Sequence, residues 1–115
     1  MSKGHGYHYS GTITHIIGVA SSLPKSYKTL LKSGWVDISD PRQAANGHYE
    51  LIESSTGLRI RFDKGVPGAN GFKGKDHYHI YNPNATGNKD LYLDINGNPT
   101  RKNSKSSHIL PKEDE

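Results

Sequence analysis

The second half of the chain alternates between apolar and polar side chains with a period of two residues. Residues 48–54 form one such run, and residues 58–62 form the next, in which apolar side chains alternate with two arginines. This alternation predicts half-buried strands, and the sequence Ser-Thr-Gly at 55–57 predicts a hairpin turn between them. We predict further strands over residues 76–81 and 91–95 and a short one over 108–110.

The first half of the chain carries short apolar runs instead. Residues 12–20 fit either a helix or a strand. Ser22 is a suitable N-cap for a helix that extends to Lys32, because a hydroxyl oxygen can accept a hydrogen bond from a first-turn amide. Trp35 follows and is expected in the core, and residues 40–47 predict a further turn or short helix.

Together these elements predict an α+β fold in which N-terminal helices pack on an antiparallel sheet of four to five strands. The chain has 115 residues, which corresponds to a single domain over residues 1–115. With 13 glycines, six prolines and 31% hydrophobic residues, the composition favours turns and short elements over a helical bundle. We expect residues 1–11 and 112–115 to be flexible. Residues 63–75 include four glycines and predict a long loop of the kind that often carries function.

The charge of the chain favours a polyanionic partner. Lys and Arg number 15 against 11 Asp and Glu, which gives a formal net charge of +4, and part of the negative charge lies at residues 113–115. Basic side chains displace counterions from phosphates. The absence of cysteine excludes disulfides and sulfur-ligated zinc sites. No apolar run approaches the roughly 20 residues of a membrane span, and the first residues show no signal-peptide pattern.

The sequence Asp-His-Tyr-His-Ile-Tyr at 76–81 carries the strongest chemical signal. On a strand, alternate side chains share a face, so His77, His79 and Tyr81 are predicted in one row, opposite an apolar face that includes Ile80. Two imidazoles that titrate near neutrality can serve as base and acid in one proton-transfer cycle. We therefore predict that these side chains form a catalytic row. The alternative interpretation is that they form a polar outer face of the sheet and have no catalytic role.

The same His-x-His spacing also suits metal ligation. A third ligand would be needed, because zinc sites normally use at least three protein ligands, and His108 or Asp94 would supply it. The carboxylate beside the pair, Asp76, is predicted on the opposite face of the strand. We therefore expect no metal and no cofactor, and keep a metal site as the alternative.

Basic residues are concentrated near the predicted catalytic row. Arg61 is predicted on the polar face of the neighbouring strand, where a guanidinium can contact a scissile phosphate. The remaining histidines, at positions 5, 8, 15 and 48, have no useful spacing, and the one at 15 is expected to be a packing residue. The residues predicted to bind the nucleic acid are Arg59, Lys64, Lys73, Lys75, Arg101, Lys102, Lys105 and Ser107.

Short motifs are distributed through residues 34–111. They are GWVD at 34–37, TGLRIRFDKG at 56–65, PG at 67–68, GKDHYH at 74–79, NP at 82–83, YLD at 92–94, GNP at 97–99 and SHI at 107–109. In this pattern the chain resembles the C-terminal toxin domains of bacterial polymorphic toxins, which stand at the ends of contact-dependent inhibition, Rhs and related secreted proteins. The junction usually found upstream of such domains is missing here, which suits an excised toxin domain.

Many domains of this group resemble the fold shared by barnase, EndoU, the tRNA-cleaving colicins and RelE, in which N-terminal helices pack on an antiparallel sheet that carries the active site. The resemblance implies a ribonuclease, often one that cuts tRNA, with His77, His79 and His108 as candidate catalytic residues. It also implies a cognate immunity protein as partner. Delivery into the cytoplasm of a target cell, as part of a larger secreted bacterial effector, is implied as well.

The resulting prediction is an antibacterial toxin domain that cleaves RNA, with tRNA as the expected substrate, without a metal. One histidine would take the proton of a ribose 2′-hydroxyl, a second histidine or Tyr81 would protonate the leaving oxygen, and Arg61 would stabilise the phosphorane-like transition state. Two alternatives stay open. One is a metal-dependent nuclease, for example a DNase, that uses His77 and His79 as ligands. The other is a non-catalytic nucleic-acid-binding module, for which the sequence lacks the clustered exposed aromatics of stacking readers.

Overall fold

The computed structural model describes residues 7–112, and within this range three short α-helices accompany a six-stranded antiparallel sheet. The strands pair in chain order, so the sheet is a meander. None of the helices in this range is long and apolar enough to cross a membrane. The helices are α1 (Ile13–Ser22), α2 (Lys28–Leu31) and α3 (Pro41–Ala45). The strands are β1 (Trp35–Asp37), β2 (His48–Glu53), β3 (Arg59–Asp63), β4 (His77–Tyr81), β5 (Tyr92–Leu93) and β6 (Pro99–Thr100), and 3₁₀ turns cover Gly71–Gly74 and Lys105–Ser107.

The predicted α+β class is confirmed, with six strands where four to five were predicted. The extra strands lie at the two edges of the sheet, where β1 has three residues and β6 has two. Strands this short show no periodicity along the sequence, so the pattern does not reveal them. The strand predicted at 108–110 is reduced to a single bridge between Ile109 and Tyr78.

The helix predicted from Ser22 to Lys32 is wrong. Ser22 is instead the last residue of α1, and Leu23 has an extended backbone with φ −64° and ψ 129°. Pro24 explains the break, because the residue before a proline is sterically disfavoured in the helical region. Leu23 is only 1% exposed, so the break also anchors the chain in the core. A single helical turn, α2, forms further along the chain.

Residues 12–20, which fitted either a helix or a strand, belong to helix α1. Thr12 caps the helix, because its hydroxyl accepts a hydrogen bond from the backbone amide of His15 at 3.0 Å. Ile16 and Ala20 are four residues apart, so they lie on one face of the helix, and both are buried. This buried face of α1 packs against the sheet.

One face of the sheet forms the hydrophobic core together with α1. Alternate residues of β2, β3 and β4 supply it, as the period of two predicts. The buried apolar residues of this core are Ile16, Ala20, Leu23, Trp35, Leu51, Leu58, Ile60, Phe62, Tyr78, Ile80, Leu93 and Ile109.

The opposite face of the sheet carries the polar side chains of β3 and β4. In the antiparallel register Asp63 lies opposite His77, and Arg61 lies opposite His79. Residues directly opposite each other in an antiparallel pair have neighbouring side chains. The pairing of these two strands therefore sets the distances within the candidate site.

The ends of the described range make backbone contacts with the body of the domain. The amide of Tyr7 donates to the carbonyl of Pro83 at 3.0 Å, and that of Ser10 donates to the carbonyl of Thr56 at 2.9 Å. At the other end, the amide of Lys112 donates to the carbonyl of Leu23, a core residue, at 2.8 Å. Of the segments expected to be flexible, residues 1–6 and 113–115 lie outside the described range, and residues 7–10 form neither helix nor strand.

The loop at 63–75 folds back on itself, since the amide of Val66 donates to the carbonyl of Lys73 at 2.8 Å. Its two ends pass so close together that Gly65 has no space for a side chain. A Cβ atom on Gly65 would lie 2.7 Å from the carbonyl oxygen of Gly74, which is closer than carbon and oxygen can approach. This glycine therefore permits the close crossing of the two ends.

We expect Gly65→Ala to lower the free energy of unfolding by about 1–3 kcal/mol, because the added methyl group forces the crossing apart. Denaturant titration measures the change. Gly18→Ala in α1 is the control, since its Cβ would meet no atom within 4 Å. Alanine should stabilise that helix by about 0.5–1 kcal/mol. A Gly65→Ala protein as stable as the original chain would contradict the tight crossing.

Candidate active site

A cavity of about 360 Å³ opens on the polar face of the sheet. Its floor is formed by side chains of β2, β3, β4 and β5, and its walls are formed by the loop at 63–75 and the segment at 102–108. Four imidazoles line it, from His48, His77, His79 and His108. Segments that are well separated in sequence, from β2 to the segment at 102–108, therefore meet at one group of histidines.

The carboxylate of Asp63 lies at the centre of this group. Its Oδ1 atom is 2.8 Å from Nδ1 of His48 and 2.7 Å from Nε of Arg61. Its Oδ2 atom is 3.3 Å from Nε2 of His77 and 3.5 Å from Nε2 of His79. One carboxylate thus contacts four nitrogen-bearing side chains.

These contacts determine the ionisation of Asp63. Burial by itself would raise the pKa of this carboxyl, but the contacts with His77, His79, Arg61 and His48 outweigh it and lower the pKa well below its usual range. Asp63 therefore stays negatively charged at neutral pH. Its negative charge attracts the guanidinium of Arg61 and the three imidazoles that contact it.

Backbone carbonyls fix the orientation of the two strand histidines. Nδ1 of His77 donates to the carbonyl of Lys75 at 2.9 Å, and Nδ1 of His79 donates to the carbonyl of Ser107 at 2.8 Å. A carbonyl oxygen only accepts hydrogen bonds, so Nδ1 of each ring carries a proton. The other ring nitrogen, Nε2, is therefore the one presented towards Asp63.

The two strand histidines differ in their proton affinity. Burial lowers the pKa of His77, but the contact with Asp63 and the carbonyl of Lys75 more than compensate and raise it above its ordinary value. Burial dominates at His79 and lowers its pKa, against the opposing contact with Asp63. Neighbouring groups whose pKa values are pushed apart are typical of an acid and a base that work together.

Aromatic rings hold the histidines in place. The ring of His108 lies 4.8 Å from that of His77 and 4.7 Å from that of His79, measured between centroids. Phe72 stacks on His108 at 4.5 Å, and Tyr92 stacks on His79 at 4.4 Å. The three imidazoles are therefore packed against one another and against two aromatic rings.

The burial of His77 and His79 differs from the sequence-based expectation of a row on an open polar face. The two side chains are 6% and 5% exposed. Loop residue Phe72 and the segment that contains Ser107 cover them from outside the sheet. The strand pattern predicts the face on which these histidines lie, but it does not predict what covers that face.

The cavity is rich in positive charge. Lys64, Lys73 and Lys102 line it together with Arg61, and among the lining residues within the described range 7–112 Asp63 is the only carboxylate. These three lysines are among the residues predicted to bind the nucleic acid. Such a lining favours an anionic ligand.

Tyr81, predicted in the catalytic row, and Arg59, predicted to bind the nucleic acid, both lie outside the cavity lining. Tyr81 donates its hydroxyl hydrogen to a carboxylate oxygen of Glu50. The guanidinium of Arg59 lies over the rings of Tyr81 and Tyr7, with its Cζ atom 5.0 and 4.9 Å from their centroids. The row of alternate residues continues past the edge of the cavity, so these side chains belong to a separate contact.

Several other predicted site residues are also placed elsewhere. Ser107 is fully buried and donates its hydroxyl hydrogen to the carbonyl of Ser104 at 2.8 Å, so it cannot present that group to RNA. Asp94, considered as a metal ligand, accepts hydrogen bonds from the amides of Asn96 and Asn98 in a turn. The predicted nucleic-acid-binding residues that are absent from the cavity lining are Arg59, Lys75, Arg101, Lys105 and Ser107.

Sequence reasoning missed Asp63 and misjudged two histidines. Asp63 continues the alternation of Arg59 and Arg61 along β3, and that continuation was the available signal. The sequence offers no spaced partner for His48, yet this residue contacts Asp63 across the hairpin. His15 is a half-exposed residue whose Nε2 lies 2.7 Å from a carboxylate oxygen of Glu53, rather than a packing residue.

Comparisons of the chain with models of known protein families, with curated proteins and with solved structures find no match. The resemblance of short motifs to polymorphic-toxin domains stays a prediction. Function therefore has to be inferred from the chemistry of the cavity itself.

Proposed function

We propose that this chain is a toxin domain that cleaves RNA by metal-independent transesterification in the cavity around Asp63. The observation that supports the proposal is the contact of three imidazoles and one guanidinium with a single buried carboxylate, with the imidazole of His108 packed beside two of those rings. Ribose-directed cleavage needs a base, an acid and a positive charge near the phosphate. The cavity brings all three types of group within a few ångströms of one another.

The charge of the cavity supports a phosphodiester as substrate. Arg61 and the lining lysines Lys64, Lys73 and Lys102 exceed the single negative charge of Asp63. Cations in such a setting neutralise backbone phosphates, and a guanidinium can stabilise the additional charge of a phosphorane-like transition state. RNA is the expected polymer, because the proposed reaction uses the ribose 2′-hydroxyl that DNA lacks.

In the proposed reaction, neutral His79 is the base and protonated His77 is the acid. Nε2 of His79 takes the proton of the 2′-hydroxyl, and the 2′-oxygen attacks phosphorus. The bond between phosphorus and the 5′-oxygen breaks, and the leaving oxygen takes a proton from Nε2 of His77. The products are a 2′,3′-cyclic phosphate end and a 5′-hydroxyl end. Proton exchange with water then restores both rings.

His108 and Arg61 complete the proposed assignment. His108 is less buried than the two strand histidines, and its ring lies within 5 Å of both. Its role in the proposed reaction is to contact the phosphate. Arg61 is held by Asp63 through Nε, and its Nη2 lies 3.4 Å from Nδ1 of His48. In the proposed reaction its terminal nitrogens contact a phosphate oxygen.

The test is incubation of the purified chain with total tRNA and, separately, with plasmid DNA, each with and without EDTA. We expect cleavage of RNA alone, with cyclic phosphate ends and with no loss of rate in EDTA. Intact RNA in every reaction would overturn the proposed activity. Loss of RNA cleavage in EDTA would show that the enzyme needs a metal.

The resemblance adds a biological setting to the proposal. It implies tRNA as substrate, delivery into the cytoplasm of a target cell as part of a larger secreted effector, and neutralisation by a cognate immunity protein. These elements depend on the resemblance alone. The charge of the cavity adds one expectation, that the immunity protein is acidic where it covers the site.

We expect such an immunity protein to displace RNA directly. The measurement is competition for a His77→Ala chain, which still carries the cationic lining, between labelled RNA and the immunity protein. Association with the protein should slow as salt rises, because ions screen charges beyond about 8 Å at physiological ionic strength. Undiminished RNA binding at saturating immunity protein would show that inhibition acts by another route.

A further inference from the structure

Three of the cavity histidines form a compact group of potential metal ligands. One ring nitrogen from each of His77, His79 and His108 can be chosen so that all three lie within 4.8 Å of one another. The distances between ring centroids are 4.7–5.0 Å. Nitrogen atoms in this arrangement need only small side-chain movements to surround one ion, since zinc binds imidazole nitrogen at about 2.0–2.1 Å.

The backbone already orients these rings as it does in metal sites. Nδ1 of His77 and of His79 donates to a carbonyl, and Nδ1 of His108 faces the carbonyl of Lys105 at 3.3 Å. Metal-binding histidines nearly always donate their other ring nitrogen to such an acceptor, which fixes the ring and increases its affinity for the ion. Asp63 adds a negative charge next to the nitrogens of the first two rings.

The donor set selects the kind of ion. Mg²⁺ and Ca²⁺ prefer oxygen ligands, and here three nitrogens stand beside a single carboxylate. Zn²⁺, Co²⁺, Ni²⁺ and Cu²⁺ accept imidazole readily. Three histidines that line an open cavity also leave a position for water, as in zinc sites with three protein ligands.

We propose that His77, His79 and His108 bind Zn²⁺ or a similar late transition-metal ion, and that the bound ion inhibits RNA cleavage. The inhibitory part of the inference rests on the proposed function. A ring nitrogen that coordinates an ion can neither take nor deliver a proton, so the proposed base and acid are both blocked. An ion bound at this site regulates the activity. It is not a cofactor that takes part in the reaction.

The binding experiment uses the full chain without a histidine tag. Calorimetry with Zn²⁺ and visible absorption with Co²⁺ should show one saturable site per chain. His108→Gln should weaken binding about tenfold or more, because it removes one of three ligands. His15→Gln and His8→Gln, which change histidines outside the cavity, should leave the affinity for Zn²⁺ unchanged.

A melting curve establishes that each variant is folded, and His108→Ala serves as a second variant. Absence of saturable binding, or equal affinity in the His108 variants and the original chain, would overturn the site.

The activity experiment separates the site from the proposed function. RNA cleavage by the metal-free chain should fall as Zn²⁺ is added, with a midpoint that matches calorimetry, and EDTA should restore it. If Zn²⁺ binds but accelerates cleavage, the inhibitory role is wrong. If the metal-free chain and the Zn²⁺-loaded chain both leave RNA intact, the proposed function fails and the inhibitory role with it, while calorimetry still decides whether the site exists.

Discussion

Asp63→Asn is expected to abolish RNA cleavage and to lower the free energy of unfolding by about 3–5 kcal/mol. The substitution keeps the shape of the side chain and removes its charge. Arg61, His48, His77 and His79 all contact this carboxylate, and its side chain is only 9% exposed. Removal of one partner from a buried ionic cluster leaves the others uncompensated, and this is the physical reason for the large cost.

The effect on activity has a separate cause. In the proposed reaction Asp63 contacts no substrate atom, so it is a positioning residue. It holds Nε of Arg61 at 2.7 Å and keeps the proton affinity of His77 high. Without the charge, the pKa of His77 falls, so a smaller fraction of the proposed acid is protonated when RNA binds. We therefore expect the single-turnover rate to fall more than the affinity for RNA.

Asp90→Asn is the matched control. Its carboxylate accepts hydrogen bonds from the backbone amides of Thr86 and Gly87, and an asparagine oxygen can accept the same bonds. Denaturant titration and the rate of RNA cleavage should both stay close to those of the original chain. If Asp63→Asn and Asp90→Asn have equal stability and equal activity, Asp63 does not organise the cavity.

The central strands could be predicted from the sequence because their side chains face two different environments. The predicted runs at 48–54, 58–62 and 76–81 correspond to β2, β3 and β4 within one residue at each end. Each of these strands buries one face in the core, so burial imposes the period of two on the sequence. The edge strands β1 and β6 are too short for any period to appear.

The composition of the site could be predicted only in part. His77, His79 and Arg61 share a cavity because alternation placed them on one face, and His108 joins them from the far end of the chain. Asp63 carries no motif of its own. Its role depends on the register of β3 against β4, which a single sequence does not specify.

Tyr81 lies outside the cavity lining for a related reason. Alternation places it on the same face as His77 and His79, but it says nothing about where the covering segments end. The loop at 63–75 and the segment near Ser107 cover only the first two positions of the row. Beyond that edge, Tyr81 contacts Glu50 and the guanidinium of Arg59 instead.

His79→Gln is expected to slow RNA cleavage by about 10²–10⁴-fold while RNA still binds. Glutamine can donate a hydrogen bond to the carbonyl of Ser107, which Nδ1 of His79 contacts at 2.8 Å, so the buried carbonyl keeps a partner. The glutamine amide cannot take a proton near neutral pH. The variant therefore separates proton transfer from packing. Single-turnover cleavage measures the first, and fluorescence anisotropy with labelled RNA measures binding.

His15→Gln provides the comparison for this substitution. His15 also contacts a carboxylate, with Nε2 at 2.7 Å from Glu53, but it lies on α1 outside the cavity lining. Loss of that contact at a half-exposed position should cost about 1 kcal/mol or less and leave cleavage unchanged. A chain with His79→Gln that is folded, binds RNA and cleaves it at the original rate would rule out His79 as the base. A loss of RNA binding equal to the loss of rate would assign His79 to substrate binding, because a base acts on the reaction step after RNA has bound.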